Sequence, residues 1–518
     1  MKINQFANTC HGRITKIMLA AGLLLLPSAL EANDSISPPV LQRLSGKQAF
    51  VYDFFPLPSV NPALKPFLYS DRLTEIRLES HYEHQTDAIA VQEGDGKRFS
   101  RMHVDSYIPL AGSALWGNAS YSGGKRFHLK LNETSDPALL YPYLTGDTIG
   151  GNLQSEVYRF AGGYARHNAH FSWGIEAGFR AMQEYRAIDP RPRNIVSDLN
   201  LSLGGSISLP SGHAAAAALH FRKYKQKNEI DFYNELGDVK VYHYTGLGND
   251  YARFRTKADQ SHYNGNALGA SLHLLPRQPN GAIASFKYSR FFFEKIISSL
   301  NELNMLDRTE QALEAEAGYR LKSSARAIAF RLSAVHLRKS GRENIFGDEA
   351  SNNYPFIVVL EQYRRNIDRL EAAALCEYYR PALRWAVQPS AGYEADAERY
   401  TLPQREISRK HFTAALRLAF DKSGEKLSFQ VGAALKHYFP VSSAIVLTGD
   451  EQENFSLPAL RRNHEYLAGK RTALAIDGRL NYAFRRDYAV FLSLQWQQGR
   501  YIYDTTTNNI TASAGINF

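Results

Sequence analysis

Charged residues recur in this chain at alternate positions of segments whose other positions are apolar, and that spacing limits the chemistry they can do. Glu176 with Arg180, Glu314 with Glu316 and Arg320, Arg331, Lys436, and Asp477 with Arg479 all fall in such segments. If the apolar rows meet lipid, these side chains point inward. There they either line a hydrated lumen as ion pairs or form a constriction that selects a solute. Their signs are mixed, so they read as favouring neither anions nor cations. Covalent chemistry finds little support. Ser, His and Asp are plentiful, but no motif links them, and Gly-x-Ser-x-Gly and Gly-rich phosphate loops are absent. His81, His84 and His103 make a compact histidine grouping, read either as ordinary strand-end residues or as a metal site. The expectation is a non-enzyme without a cofactor or bound metal.

The segments that must position these residues read as β-strands. Leu474, Ile476, Leu480, Tyr482 and Phe484 lead into Arg485-Arg486-Asp487; Tyr488, Val490, Leu492, Leu494 and Trp496 lead out. Period-two alternation of this kind puts one face in lipid and the other in water. The same pattern surrounds short turns at 421–425, 322–325 and 210–213, with further short turns expected at 110–112, 165–168, 275–281 and 380–383. The connections between them are long: 122–153, 182–196, 225–263, 293–310, 338–365, 395–410, 437–470 and 499–508. Short and long connections that alternate along the chain are expected of a transmembrane barrel with short periplasmic turns and long external loops. Eight short turns join sixteen strands, and a first strand at 74–84 with a last at 509–518 makes about eighteen. The break at Ser122-Gly123-Gly124 keeps sixteen open.

The ends of the chain agree with export. Lys2, Arg13 and Lys16 precede an apolar run from Ile17 to Leu26, and Ala29-Leu30-Glu31-Ala32 offers a cleavage site, so residues 1–32 read as a signal peptide. Cys10 goes with it and Cys376 is left without an intramolecular partner. Residues 33–72 carry Pro38, Pro39, Pro56, Pro58, Pro62 and Pro66 among Phe50, Tyr52, Phe54, Phe55 and Phe67. So many prolines exclude a central strand. The segment is either an irregular periplasmic tail or a plug folded into the lumen. Residues 73–518 are the barrel. Its last strand ends on Phe518, which reads as the signal for the barrel assembly machinery. The formal charge is +10 and the mean hydropathy −0.37. A low hydropathy suits a barrel, where only alternate residues face lipid. A basic exported chain is expected to meet anionic lipopolysaccharide in the membrane and not nucleic acid.

Several loop strings resemble an uncharacterised family of outer-membrane β-barrels, a domain of unknown function found mainly in Bacteroidota-type Gram-negative bacteria. They are Tyr141-Pro142-Tyr143 with Asp147 and Gly150-Gly151, then Asp189-Pro190-Arg191-Pro192-Arg193-Asn194, then Gly246-Leu247-Gly248-Asn249-Asp250. The resemblance implies a barrel and an association with nutrient- or metal-uptake genes. It implies no substrate. Physically, Asp189, Arg191, Arg193 and Asn194 either pair across neighbouring loops or meet a ligand. The reading as a whole is an all-β, antiparallel transmembrane barrel of the bacterial outer membrane that passes or captures a small solute. Its alternatives are a non-conducting surface scaffold that assists a partner transporter and, third, an outer-membrane hydrolase.

Overall fold

In the computed structural model the period-two segments pair into one closed sheet. The structure describes residues 38–47, 54–234, 240–255, 260–350, 353–380, 382–449, 454 and 456–518. The chain divides into two units, residues 1–38 and 39–518. Apart from Pro38 the first unit, with the expected signal peptide, lies outside the described residues.

The barrel strands are β1 (Leu73–Gln85), β2 (Gly96–Leu110), β3 (Ser113–Leu129), β4 (Gly151–His167), β5 (Phe171–Tyr185) and β6 (Arg191–Ser208). They continue with β7 (His213–Asp231), β8 (Gln260–Pro276), β9 (Gly281–Ile297), β10 (Leu303–Lys322), β11 (Arg326–Phe346) and β12 (Phe356–Arg380). The last six are β13 (Leu383–Tyr400), β14 (Arg405–Ser423), β15 (Leu427–Leu447), β16 (Arg471–Arg485), β17 (Tyr488–Arg500) and β18 (Thr506–Asn517). Each pairs antiparallel with the next, and β18 returns to β1 from Glu75↔Asn517 to Gln85↔Thr507. Closure removes the unpaired edge that lipid could not satisfy.

The count is eighteen because β3 runs unbroken through Ser122-Gly123-Gly124. Gly124 stands opposite Phe99, and a Cβ there would lie 2.5 Å from the Phe99 Cβ. The glycine makes room for the close approach of β2 at Arg98 and Phe99 and does not break the strand. The long connections are shorter than their sequence suggests. β7 extends to Asp231, β11 to Phe346 and β15 to Leu447, and the 437–470 connection also holds helix α2, Ser456–Ala468. Past the lipid-facing stretch both faces turn polar, as at Lys223, Lys225 and Lys227 outside with Gln226 and Asn228 inside, so alternation lapses while the ladder continues.

The outer surface carries a belt of exposed apolar side chains, among them Leu219 (64%), Leu268 (67%) and Leu492 (64%). A continuous apolar belt of this kind requires lipid around it. No described helix is long and apolar enough to cross a membrane, so the strands do the spanning. The protein is an outer-membrane β-barrel. A short helix, α1 (Val40–Lys47), packs Val40, Leu41 and Leu44 against Leu73, Ala483 and Ala489 at the end that carries the short turns. Its Arg43 pairs with Asp487 at 3.0 Å.

Candidate functional site

Two groups of side chains and segments fill the barrel from opposite ends. At the short-turn end residues 54–67 lie on the inner wall and form a floor. Phe54 and Phe55 are buried among Ile283, Ala327, Ala329, Ala373, Leu375 and Ala386, a patch of small and aliphatic inward residues. Single turns at Leu57–Val60 and Pro62–Phe67 follow. Proline-rich chain cannot join a ladder, so it satisfies its backbone through wall side chains and makes its own donations to the wall. Arg331 Nη1 donates to the Phe54 carbonyl at 2.5 Å, Ser172 Oγ to the Ala63 carbonyl at 2.5 Å, and Asn61 Nδ2 to the Ala217 carbonyl at 3.0 Å. Gly204 is needed here, since a Cβ on it would lie 2.0 Å from Asn61 Oδ1. Of the two readings of the proline-rich segment, its described part from Phe54 onward takes the lumen position.

At the other end the loop strings fold inward and form a roof. Thr145–Gly146, Tyr242–Gly246 and Asn249–Asp250 make a small antiparallel sheet. Tyr143 is fully buried, its hydroxyl set over Gly341, where a Cβ would lie 1.7 Å away. The wall reaches in to hold this loop. Tyr263 Oη donates to the Tyr143 carbonyl at 2.7 Å, Arg308 Nη1 to the Tyr141 carbonyl at 2.9 Å, and Lys295 Nζ to the Leu144 carbonyl at 3.2 Å. In return Tyr141 Oη donates to Glu398 at 2.6 Å.

One buried charge cluster pins the roof. Arg186 Nη2 donates to Glu133 Oε1 at 2.8 Å and to Asp147 Oδ2 at 2.7 Å, and the Gly150 amide donates to Asp147 Oδ1 at 2.6 Å. One guanidinium faces two fully enclosed carboxylates. Burial, then the neighbouring Asp147, pushes the Glu133 carboxyl well above its usual range despite Arg186. Burial works against ionised Asp147 too, but hydrogen bonds from Glu133, Arg186 and Gly150 outweigh it and hold Asp147 below the usual range. Glu133 therefore keeps the proton and Asp147 the charge. Nearby, burial of Asp136 is outweighed by Arg180, 2.5 Å away, and by the Tyr224 hydroxyl, so its carboxyl also sits low.

The loop-motif residues are absorbed by this framework. Asp189 accepts from Arg191 at 2.7 Å and from the amides of Tyr233 and Asn234, and Arg191 stacks on the Tyr233 ring at 3.8 Å. Asn194 Nδ2 donates to the Glu133 carbonyl at 2.7 Å. Asp189, Arg191 and Asn194 thus take the cross-loop pairing of the two readings above. Arg193 is exposed on the outer face of β6.

All nine inward-facing candidates lie on the lumen side, but most are engaged with the wall. Glu176 accepts from Trp116 Nε1 at 2.6 Å, Arg180 bridges Asp136 and Asp198, and Glu314 pairs with Lys287 at 2.7 Å. Glu316 is buried, Arg320 donates to turn carbonyls of Gln278 and Pro279, and Arg331 pairs with Glu371. Lys436 lies 3.4 Å from Glu394. Asp477 borders a cavity of about 360 Å³ with Glu75, Arg77, His103, Asp105 and Arg417. Arg479 differs from the free lumen charge that alternation suggests. It stacks on Phe491 at 3.7 Å and reaches past β17 and β18 to Glu75 on β1, 2.8 Å away. It is a strut across the seam of the barrel, a contact between strands distant in sequence that local spacing cannot reveal. The histidines do not converge either: His84 faces outward while His81 bonds Thr511 at 2.9 Å, and no group of three metal-ligating side chains occurs among the described residues. Many inward charges went unremarked in the sequence, among them Glu79, Asp198, Asp396 and the arginines Arg159, Arg369 and Arg417.

A model for a family of unknown function, DUF6850, matches residues 62–518. The chain belongs to that family. The match spans the floor segment from Pro62 and all eighteen strands of this DUF6850 barrel. No curated protein matches the chain. Solved structures of similar extent include a mutant of the ferric enterobactin receptor PfeA of Pseudomonas aeruginosa, at 9% identity and a TM-score of 0.38, covering 86% of this chain and 80% of that one. The ferric preacinetobactin receptor BauA of Acinetobacter baumannii matches at 7% and 0.40, with 86% and 80% covered. The ferric-catecholate import receptor Fiu of E. coli K12 matches at 8% and 0.38, with 86% and 81% covered. Likenesses this distant carry no ligand over to the DUF6850 chain.

Proposed function

We propose that this barrel is a gated conduit for a small solute across the outer membrane, with residues 54–72 as the movable gate. The observation that carries the reading is the contrast between floor and roof. The roof is pinned by the fully buried Arg186–Asp147 ion pair and by Glu133 bonded to the same guanidinium. The floor is held by buried apolar side chains, Phe54, Phe55, Pro58, Pro62, Ala63 and Leu64, and by a few neutral or main-chain hydrogen bonds, and no ion pair joins residues 54–70 to the wall among the described residues. Burying the Phe54, Phe55 and Leu64 side chains is worth roughly 5–9 kcal/mol, within reach of a solute or partner that binds the released state better. A floor that leaves by its own chain would open the short-turn end without disturbing a strand.

The rival is a closed scaffold barrel that assists a partner transporter, and the firm anchoring of the roof favours it. Single-channel recording of the full chain in a planar bilayer separates them. The wild type should be silent or open briefly. The Phe54→Ala, Phe55→Ala, Asn61→Ala variant, still folded by heat-modifiable migration, should show long open states. Continued silence in that variant would refute the gate and leave the scaffold.

A further inference from the structure

Among the described residues, the inward charges that are both exposed and unpaired at the height of the lipid belt are all of one sign. Inward-facing carboxylates are numerous, yet each is buried or half-buried in the wall. Most are already engaged: Glu79 with Arg101, Asp198 with Arg180 and Arg222, Asp396 with Arg365 and Arg409, Asp421 with Arg384. Arg159, Arg369 and Arg417 stand apart. Each faces inward, each is exposed there, and none has a hydrogen bond or ion pair among the described residues. All three lie at the height of the lipid belt, because their chain neighbours Phe160, Leu370, Leu416 and Leu418 are exposed outer-face residues. Arg159 stands opposite Arg180 on the adjacent strand, with Ser120 on its other side. Like charges directly opposed across a ladder are destabilising. Arg180 is paired with Asp136 and Asp198, whereas Arg159 feels the same two carboxylates only at a distance and has no ion pair among the described residues. An uncompensated charge at membrane depth is costly to keep and marks a solute path.

We infer that the lumen takes an anionic solute, a carboxylate or phosphate, and that Arg159, Arg369 and Arg417 engage it. The inference rests on the uptake reading above and names its substrate class. A guanidinium suits both groups, since its fork of donors matches two oxygens of either, and unpaired arginines on a pore wall select anions as rings of Arg and Lys do elsewhere. The mixed signs of the sequence hid this, because ion pairing within the wall cancels most of the charge and leaves these three cations open at the height of the lipid belt among the described residues.

Calorimetric titration of the full-length wild type in detergent tests the binding, with inorganic phosphate and citrate as probes and tetramethylammonium as the cation control. Both anions, or one of them, should bind and the cation should not. A response to one anion alone assigns the phosphate or the carboxylate class. Arg159→Gln, Arg369→Gln and Arg417→Gln should each weaken binding about fivefold or more, the triple variant should abolish it, and the matching Lys variants should recover part. Wild-type failure to bind either anion, or undiminished binding in a folded triple variant, would overturn the inference. The second measurement is the reversal potential of the Phe54→Ala, Phe55→Ala, Asn61→Ala variant in a KCl gradient. Anion preference that the triple Gln substitution removes is the expected result. Cation preference would overturn the anionic assignment while sparing the gate, whereas silence with intact anion binding would sink the gate and spare the site.

Discussion

Replacing Arg186 with Met should unlock the roof of the barrel, and the size of the effect follows from what the residue holds. Arg186 is 3% exposed and donates to Glu133, Asp147 and the carbonyls of Ile188 and Pro190. Methionine keeps much of the volume but leaves Asp147 ionised and enclosed without its cation. Breaking a buried pair from one side costs about 3–5 kcal/mol. If the segment 130–150 exchanges by local opening, its amide hydrogens should then exchange faster by a factor on the order of 10²–10³. The strands of the short-turn half should be little affected. Hydrogen exchange resolved by mass spectrometry reads both. The companion variant Glu133→Gln tests the protonation argument. Because Glu133 already holds a proton, glutamine should cost no more than about 1 kcal/mol. The pH dependence has a definite sign. A carboxyl raised on folding contributes full stability below its usual value near 4.5 and loses it as pH rises through the folded value. Roof stability should therefore decline above that pH in the wild type, and Glu133→Gln should flatten the decline. A Gln variant as damaging as Arg186→Met would mean that Glu133 is ionised and the charge assignment wrong.

Ile476, 43% exposed on the outer face, should cost roughly 2–4 kcal/mol when changed to Arg if it sits near mid-membrane, measured by reversible unfolding in lipid. Arg479→Gln should also destabilise, since it strands the half-buried Glu75 at the seam; unchanged stability would remove Arg479 from its role as a strut. Deleting Phe518 should lower the yield of heat-modifiable barrel, because its amide and carbonyl bond Thr74 at 2.9 and 2.7 Å where β18 closes on β1; normal yield would count against a role in assembly. Labels at Asn234 should react on intact cells and labels at Gly424 should not, and the opposite pattern would invert the topology.

Period-two alternation in this sequence determined the barrel. Where one face meets lipid and the other water, as from Leu474 to Trp496, side-chain polarity repeats with the ladder and can be read one segment at a time. The inward direction of Glu176, Arg180, Asp477 and Arg479 was legible for the same reason. Three features were not. Strands above the belt lost their alternation, so the ends of β7, β11 and β15 looked like loop. The proline-rich segment read first as a tail, with a plug as the alternative, because nothing local to it records its hydrogen bonds with Ser172, Ala217 and Arg331 of the wall, more than a hundred positions away. The net sign of the open lumen was hidden as well. Spacing along one strand shows that a charge faces inward, but only the closed sheet decides which partner it meets. Pairing across the barrel cancels Arg479 with Glu75 and Arg180 with Asp198, and leaves Arg159, Arg369 and Arg417 open. Direction is a property of the strand; neutralisation is a property of the closed barrel, since it depends on contacts between residues the chain itself holds far apart.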